Sequence, residues 1–179
     1  MKIPEITKEL KDRLSKIKIV LTDVDGVLTD GGMYYTEEGL VMKKFNVKDG
    51  MGSVLLAKAG YKTGIISSDI NPINSIRGER LKMDFVITGT WEKLKAAQEI
   101  AASEGCLLEN IAFIGDDVND LDILNEVGFS VAPRDAVSQI TNIVHYVSPL
   151  KGGEGIFREI TDMLLSLDNS HGCEGVNYV

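Results

Sequence analysis

The chain has 179 residues, enough for one domain with a full core and little to spare for a second. Its apolar fraction of 44%, charged fraction of 26% and net charge of −8 describe an ordinary acidic globular protein and disfavour a nucleic-acid binder, which would present a basic face. No apolar run is long enough to span a bilayer, residues 1–16 are too charged for a signal peptide, and Cys106 and Cys173 are too few for a disulfide framework, so a cytoplasmic protein with two free thiols is expected.

Ile6, Leu10, Leu14 and Ile17 recur at helical spacing after Pro4, which predicts a short amphipathic lead-in helix. An apolar β-branched run at about 18–22 predicts the first strand. Residues 33–45 read as two strands around the turn Thr36-Glu37-Glu38-Gly39, a hairpin too apolar to leave in water. It either folds over its own sheet or packs against another copy. A helix is expected from about Gly50 to Ala59, closed by Gly60, and a second buried strand from Lys62 to Ile66. Pro72–Leu81 then reads as helix, Phe85–Ile87 as strand, and Trp91–Glu104 as a strong helix closed by Gly105. Ile111–Ile114 is the fourth strand, 119–127 a helix, Phe129–Val131 a strand, 143–147 a further strand, and 155–167 the last helix. A polar tail occupies about 168–179. His145 and His171 have no partners at metal-ligand spacing, and Trp91 is expected to pack at a helix start.

Strands alternating with helices predict an α/β fold, a Rossmann-like three-layer sandwich with a central parallel sheet. Such sheets place their sites just past the C-terminal ends of the strands. Reactive side chains fall there: Asp23 and Asp25 after the first strand, Ser67 and Ser68 after the second, Asp116 and Asp117 after the fourth. Asp23 and Asp25 are two residues apart in extended chain, so both face one small volume, and their repulsion must be relieved by a cation or a shared proton. This set supplies what phosphoryl transfer to water needs. Asp23 is the candidate nucleophile and Asp25 the candidate acid and base. Asp116 with Asp23 could hold Mg²⁺. Ser67 offers a hydroxyl and a backbone N–H at a helix start, and Lys93 a compact positive charge.

The order D-x-D-G after a strand, Ser after the next, Lys at a helix and then G-D-D-x-x-D resembles the haloacid dehalogenase (HAD) superfamily. The segments TDVDGVLTDG, KKFNVKDG, IGDDVNDL and KGGEGIFRE resemble its capless members, the 3-deoxy-D-manno-octulosonate (KDO) 8-phosphate phosphatases and their relatives, over about residues 16–165. The resemblance implies one HAD-like domain over 1–179, with a hairpin flap and no cap domain. It implies Mg²⁺ held by Asp23, Asp116 and the backbone carbonyl of Asp25, with Asp117, Asn119 and Asp120 orienting that site. Ser67 and Lys93 would bind phosphate, and Lys151 and Arg158 would lie near the substrate. It further implies a homotetramer in which a neighbour covers the active site, a sugar-acid phosphate substrate and a role in lipopolysaccharide biosynthesis.

One motif departs from the pattern. Where KDO 8-phosphate phosphatases usually read S/T-G-R, this chain reads Ser67-Ser68-Asp69. A related branch acting on nine-carbon nonulosonate 9-phosphates carries an acid there and a base further along the next helix, which Asp69 and Arg80 match; Arg77 matches an arginine common to both branches. Asp69 and Arg80 would then form a substrate-selecting pair, and the eight- and nine-carbon substrates both stay open. Two readings of another class are a phospho-acceptor receiver-like domain, disfavoured by motif order, and a non-catalytic scaffold on the same fold, disfavoured because no catalytic or metal-binding candidate is missing.

Overall fold

The computed structural model describes residues 6–169. Its order is α1 (Lys8–Leu14), β1 (Ile19–Thr22), β2 (Thr29–Thr36), β3 (Gly39–Phe45), α2 (Val47–Lys58), β4 (Lys62–Ile66), α3 (Pro72–Arg80), β5 (Phe85–Ile87), α4 (Lys93–Ser103), β6 (Ile111–Ile114), α5 (Leu121–Glu126), β7 (Phe129–Ala132), α6 (Ser138–Thr141), β8 (Tyr146–Val147) and α7 (Ile156–Asn169). Six strands form one parallel sheet in the order β5-β4-β1-β6-β7-β8, and β2 and β3 form a separate antiparallel pair. No helix among the described residues is long and apolar enough to cross a membrane.

Strand alternation splits the core into two layers. Val20, Ala112 and Ile114 point to one face, where Leu56 of α2 and Phe157, Ile160 and Leu164 of α7 cover them. Ile19, Leu21, Ile111 and Phe113 point to the other, against Ala97 and Ile100 of α4 and Ile123 and Leu124 of α5. Both faces are buried, so β1 and β6 read as continuous apolar runs. The chain moves outward from β1 through β4 to β5, then returns to the other side of β1 with β6. The order therefore reverses between β1 and β6, the crevice where such sheets bind ligands.

Strands β4, β5 and β6 have the expected bounds. Several other elements differ for local reasons. The hairpin starts at Thr29 rather than 33, so it leaves the site loop almost directly. Helix α2 starts at Val47 rather than Gly50, because the Asn46 side chain accepts the Lys48 N–H at 3.0 Å and caps it there. The expected helix over 119–127 splits into a 3₁₀ turn, Val118–Asp120, and α5. The strand expected over 143–147 shortens to Tyr146–Val147: His145 Nδ1 accepts the Ser130 N–H at 3.0 Å, replacing a backbone partner. The short helix α6 has no counterpart in the sequence reading. Helix α7 continues to Asn169; His171, Cys173 and the rest of the expected tail lie outside the described residues. Cys106 is a free thiol.

Candidate active site

A pocket of about 440 Å³ lies at the C-terminal ends of β1, β4 and β6, lined by Asp23, Asp25, Ser67, Asp69, Asp116 and Asn119 among others. A second cleft of about 570 Å³ lies at the opposite end of the sheet, between α1, Glu109 and Gly128, where acidic and basic side chains alternate. Strand ends of that polarity do not carry the sites of parallel sheets.

Asp23 follows β1 and is 5% exposed. Its Oδ1 accepts the Val24 N–H at 2.7 Å, and its Oδ2 meets Lys93 Nζ at 2.9 Å. Lys93, the first residue of α4, is buried and also reaches Asp120 Oδ1 at 2.6 Å. Asp120 Oδ2 accepts the Asp116 N–H at 3.0 Å, so one Asp120 oxygen holds Lys93 and the other the loop after β6. Burial, then the charge of Asp120, pushes the Asp23 carboxyl up to about 7, against the pull of Lys93. Burial, then Asp23 and Asp120, raises Asp116 to about 8. Burial opposes the Lys93 charge, but Asp23 and Asp120 outweigh it and hold its pKa above the ordinary lysine value.

Carboxylate oxygens of Asp23, Asp116 and Asp120 lie within 4.8 Å of one another. Asp116 Oδ1 is buried without a hydrogen-bond partner. An orphaned Asp116 oxygen beside crowded, proton-hungry carboxylates fits a hard divalent cation, with Asp23 able to add a ligand through a remaining lone pair because each carboxylate oxygen has two. Gly26 closes this corner. Its φ is +82°, and a Cβ there would lie 2.0 Å from Asp116 Oδ2, so only glycine lets the β1 loop lie against that carboxylate.

Asp25 sits against a different cation. Lys43 of β3 places Nζ 2.6 Å from Asp25 Oδ2, 2.6 Å from Asp69 Oδ2 and 3.1 Å from Asn74 Oδ1. The Asn74 amide also donates to Ser67 Oγ at 3.1 Å. The two carboxylates after β1 are thus each paired with a different lysine, one from α4 and one from the hairpin, and each lysine is shared with a second carboxylate. Neither Lys43 nor Asn74 was singled out from the sequence. Lys43 looks like an outward charge on a hairpin strand, and only its place in KKFNVKDG marks it.

Ser67 reaches the pocket through its hydroxyl alone. Its N–H, expected at a helix start, donates instead to Ile87 O at 2.9 Å as an extension of the sheet, and α3 begins only at Pro72. Ser67 Oγ accepts from the Asp69 N–H and Asn74, which leaves its own proton to donate. Asn119 donates to Ser68 Oγ at 3.3 Å, tying the second loop to the third. Asp117 is exposed at the pocket edge and caps Val118. Trp91, expected to pack at a helix start, lies 75% exposed at the pocket mouth.

The expected Asp69–Arg80 pair is not formed: Asp69 is held by Lys43, and Arg80 is exposed at the far end of α3, about 13 Å of helix away. Arg77 is not among the pocket-lining residues. It stacks 5.2 Å over the Phe45 ring and donates to Asn46 O at 3.1 Å, fastening the hairpin exit to α3. Arg158 pairs with Asp162 at 2.7 Å along α7. The Lys151 side chain is exposed, but its loop reaches the site by backbone: a Cβ on Gly152 would lie 2.1 Å from Gly26 O.

Residues 59–160 match the haloacid dehalogenase-like hydrolase family. The chain is 38% identical over 156 residues to the 3-deoxy-D-manno-octulosonate 8-phosphate phosphatase of Haemophilus influenzae, covering 87% of each chain. It is 34% identical over 173 residues to the enzyme of the same name from Yersinia pestis, covering 96% of this chain and 92% of that one. The fold superposes on the 3-deoxy-D-manno-octulosonate 8-phosphate phosphatase of Moraxella catarrhalis, solved with magnesium, phosphate and KDO, with a TM-score of 0.88 at 31% identity, covering 92% and 94% of the two chains.

Proposed function

The chain belongs to the 3-deoxy-D-manno-octulosonate 8-phosphate phosphatase family of the haloacid dehalogenase-like hydrolases, and from that premise we propose that it hydrolyses the terminal phosphate of KDO 8-phosphate with Mg²⁺. The observation that carries the reading is the pair of carboxylates after β1, each ion-paired with a different buried lysine, beside an orphaned Asp116 oxygen. The nonulosonate alternative loses its main support, because the Asp69–Arg80 pair it needs is absent.

Asp23 attacks phosphorus: its carboxylate oxygen bonds to the phosphoryl group as the ester P–O bond breaks. The departing sugar oxygen takes a proton from Asp25. Asp25, now ionised, takes a proton from the water that attacks the aspartyl-phosphate, releasing phosphate and free Asp23. Lys93 has three N–H donors and spends two on Asp23 and Asp120, which leaves the third to donate to a phosphate oxygen. The Ser67 hydroxyl donates to another. Asp23, Asp116 and the backbone carbonyl of Asp25 would hold Mg²⁺, which would offset the phosphate charge so that the anionic ester could approach the carboxylates. Asp117, Asn119 and Asp120 hold the loop that presents Asp116.

An Asp23→Asn variant is expected to stay folded, with its native circular dichroism, and lose phosphate release from KDO 8-phosphate. Turnover above about 1% of wild type would remove Asp23 as nucleophile, because losing a covalent route costs orders of magnitude.

The same reading places the chain in one domain, as a cytoplasmic homotetramer serving lipopolysaccharide biosynthesis. Support for assembly comes from the hairpin, where Met33, Tyr34, Tyr35, Val41 and Met42 are 45–67% exposed rather than folded over the sheet. In the tetramer a neighbour's surface completes the open pocket, and there Arg77, Arg80, Lys151 and Arg158 would act on substrate across the interface. A monomer mass by light scattering would remove this assembly.

A further inference from the structure

Lys43 and Lys93 are both buried lysines in one site, but their donors are used differently. Lys93 keeps an N–H for phosphate, whereas Lys43 gives all three to Asp25, Asp69 and Asn74. No donor of Lys43 remains for substrate. Its side chain is 0% exposed, so it does not meet bulk water. On Asp25, Oδ2 is taken by Lys43 and, at 3.4 Å, by Asn74, while Oδ1 is buried with no partner.

We propose that Lys43 is a positioning residue carried on the hairpin flap: it clamps Asp25 Oδ2, leaving Oδ1 as the oxygen that exchanges the proton with the leaving alcohol and then with water. Asp69 is the counter-anchor that holds the ammonium in place, and Asn74 joins this clamp to the phosphate-binding hydroxyl of Ser67. The hairpin is thereby tied to acid–base geometry: if β3 shifts, the carboxyl that protonates the leaving group shifts with it. A displacement of about 1 Å in such a group can cost about 10²-fold in rate. The inference rests on the phosphatase reading, with Asp25 as the acid.

The test separates the two. A leaving group that departs readily as an anion does not need the acid, and a poor one does. The readout is kcat/KM with Mg²⁺ on p-nitrophenyl phosphate and phenyl phosphate, which differ in leaving-group acidity and lack the sugar. For Lys43→Met, the phenyl-to-p-nitrophenyl ratio is expected to fall about 10- to 100-fold, the loss on phenyl phosphate exceeding the loss on p-nitrophenyl phosphate by that factor. Asp25→Asn is expected to lower the same ratio at least as far, by about 10²-fold or more. Equal losses on both esters in Lys43→Met, alongside a lowered ratio in Asp25→Asn, would overturn the positioning role and leave the phosphatase reading standing. Equal losses in Asp25→Asn would overturn the acid assignment and the proposal with it. If Lys43→Met does not fold, Asn74→Ala removes one anchor and leaves both ion pairs; a ratio lowered about 3- to 10-fold is expected, since the clamp is loosened rather than lost, and an unchanged ratio overturns the proposal.

Discussion

Replacing Lys93 by Met asks what allows three carboxylates to share one buried corner. Met nearly matches the volume of the lysine stem, so the change leaves little cavity and its cost is electrostatic. Lys93 Nζ lies 2.6 Å from Asp120 and 2.9 Å from Asp23, and all three side chains are 7% exposed or less. Removing one partner of a buried ion pair leaves an uncompensated charge, at about 3–5 kcal/mol. Unfolding entropy for 179 residues is about 0.4 kcal/mol/K, so in chelator the unfolding temperature should drop by about 8–12 °C. Mg²⁺ at 100 times its dissociation constant returns about 2.7 kcal/mol, or about 7 °C. The deficit also depends on pH. In the variant the carboxylates relieve their repulsion by taking protons, so the loss is smaller at pH 5 than at pH 8. Thermal unfolding in chelator and in Mg²⁺ at both pH values measures these quantities. An unfolding temperature within about 2 °C of wild type in chelator at pH 8 would refute the argument, because the lysine would then not be what neutralises the corner.

Mg²⁺ should stabilise the wild-type protein more as pH rises. Asp23 and Asp116 are raised from 3.8 to about 7 and about 8 in the folded chain, so folding takes up protons; stability present below pH 4 is lost as pH climbs through those values. A cation competes with the same protons, and the Mg²⁺-induced rise in unfolding temperature should be larger at pH 8 than at pH 5.5; a constant rise would mean that these carboxylates do not hold the ion. Gly26→Ala forces a side chain into φ +82° and a Cβ to within 2.0 Å of Asp116 Oδ2. The backbone alone costs about 1–2 kcal/mol. Because Asp116 must swing away, apparent Mg²⁺ affinity in an activity titration should weaken at least about 10-fold, as it does when groups around a metal are disturbed. Unchanged affinity would place the ion elsewhere.

Much of the machinery was legible because its signals are local along the chain. An apolar run ending in Asp23-Val24-Asp25-Gly26 announces strand, turn and paired carboxylates within eight residues. The same holds for Ile111–Ile114 before Asp116, and for Ser67 after Lys62–Ile66. Helix starts were less legible, since a cap such as Asn46 competes with stronger apolar periodicity further on. The backbone N–H of Ser67 was misread because the sheet edge that takes it, Ile87, is twenty residues away. The supposed Asp69–Arg80 pair matched in sequence spacing but not in space, because the intervening helix keeps its ends apart.

By itself, then, the sequence determined the alternation of strands and helices, the strand ends where chemistry collects, and Asp23, Asp25, Asp116, Ser67 and Lys93 as the candidate residues. Only the tertiary structure decided which cation serves which carboxylate. Lys43 lies 18 residues from Asp25 and 26 from Asp69, on a strand that belongs to neither side of the main sheet. Periodicity reports which way a side chain leaves its own strand. It is silent on what that strand is laid against, and a buried charge is settled by the partners that packing brings within hydrogen-bond distance.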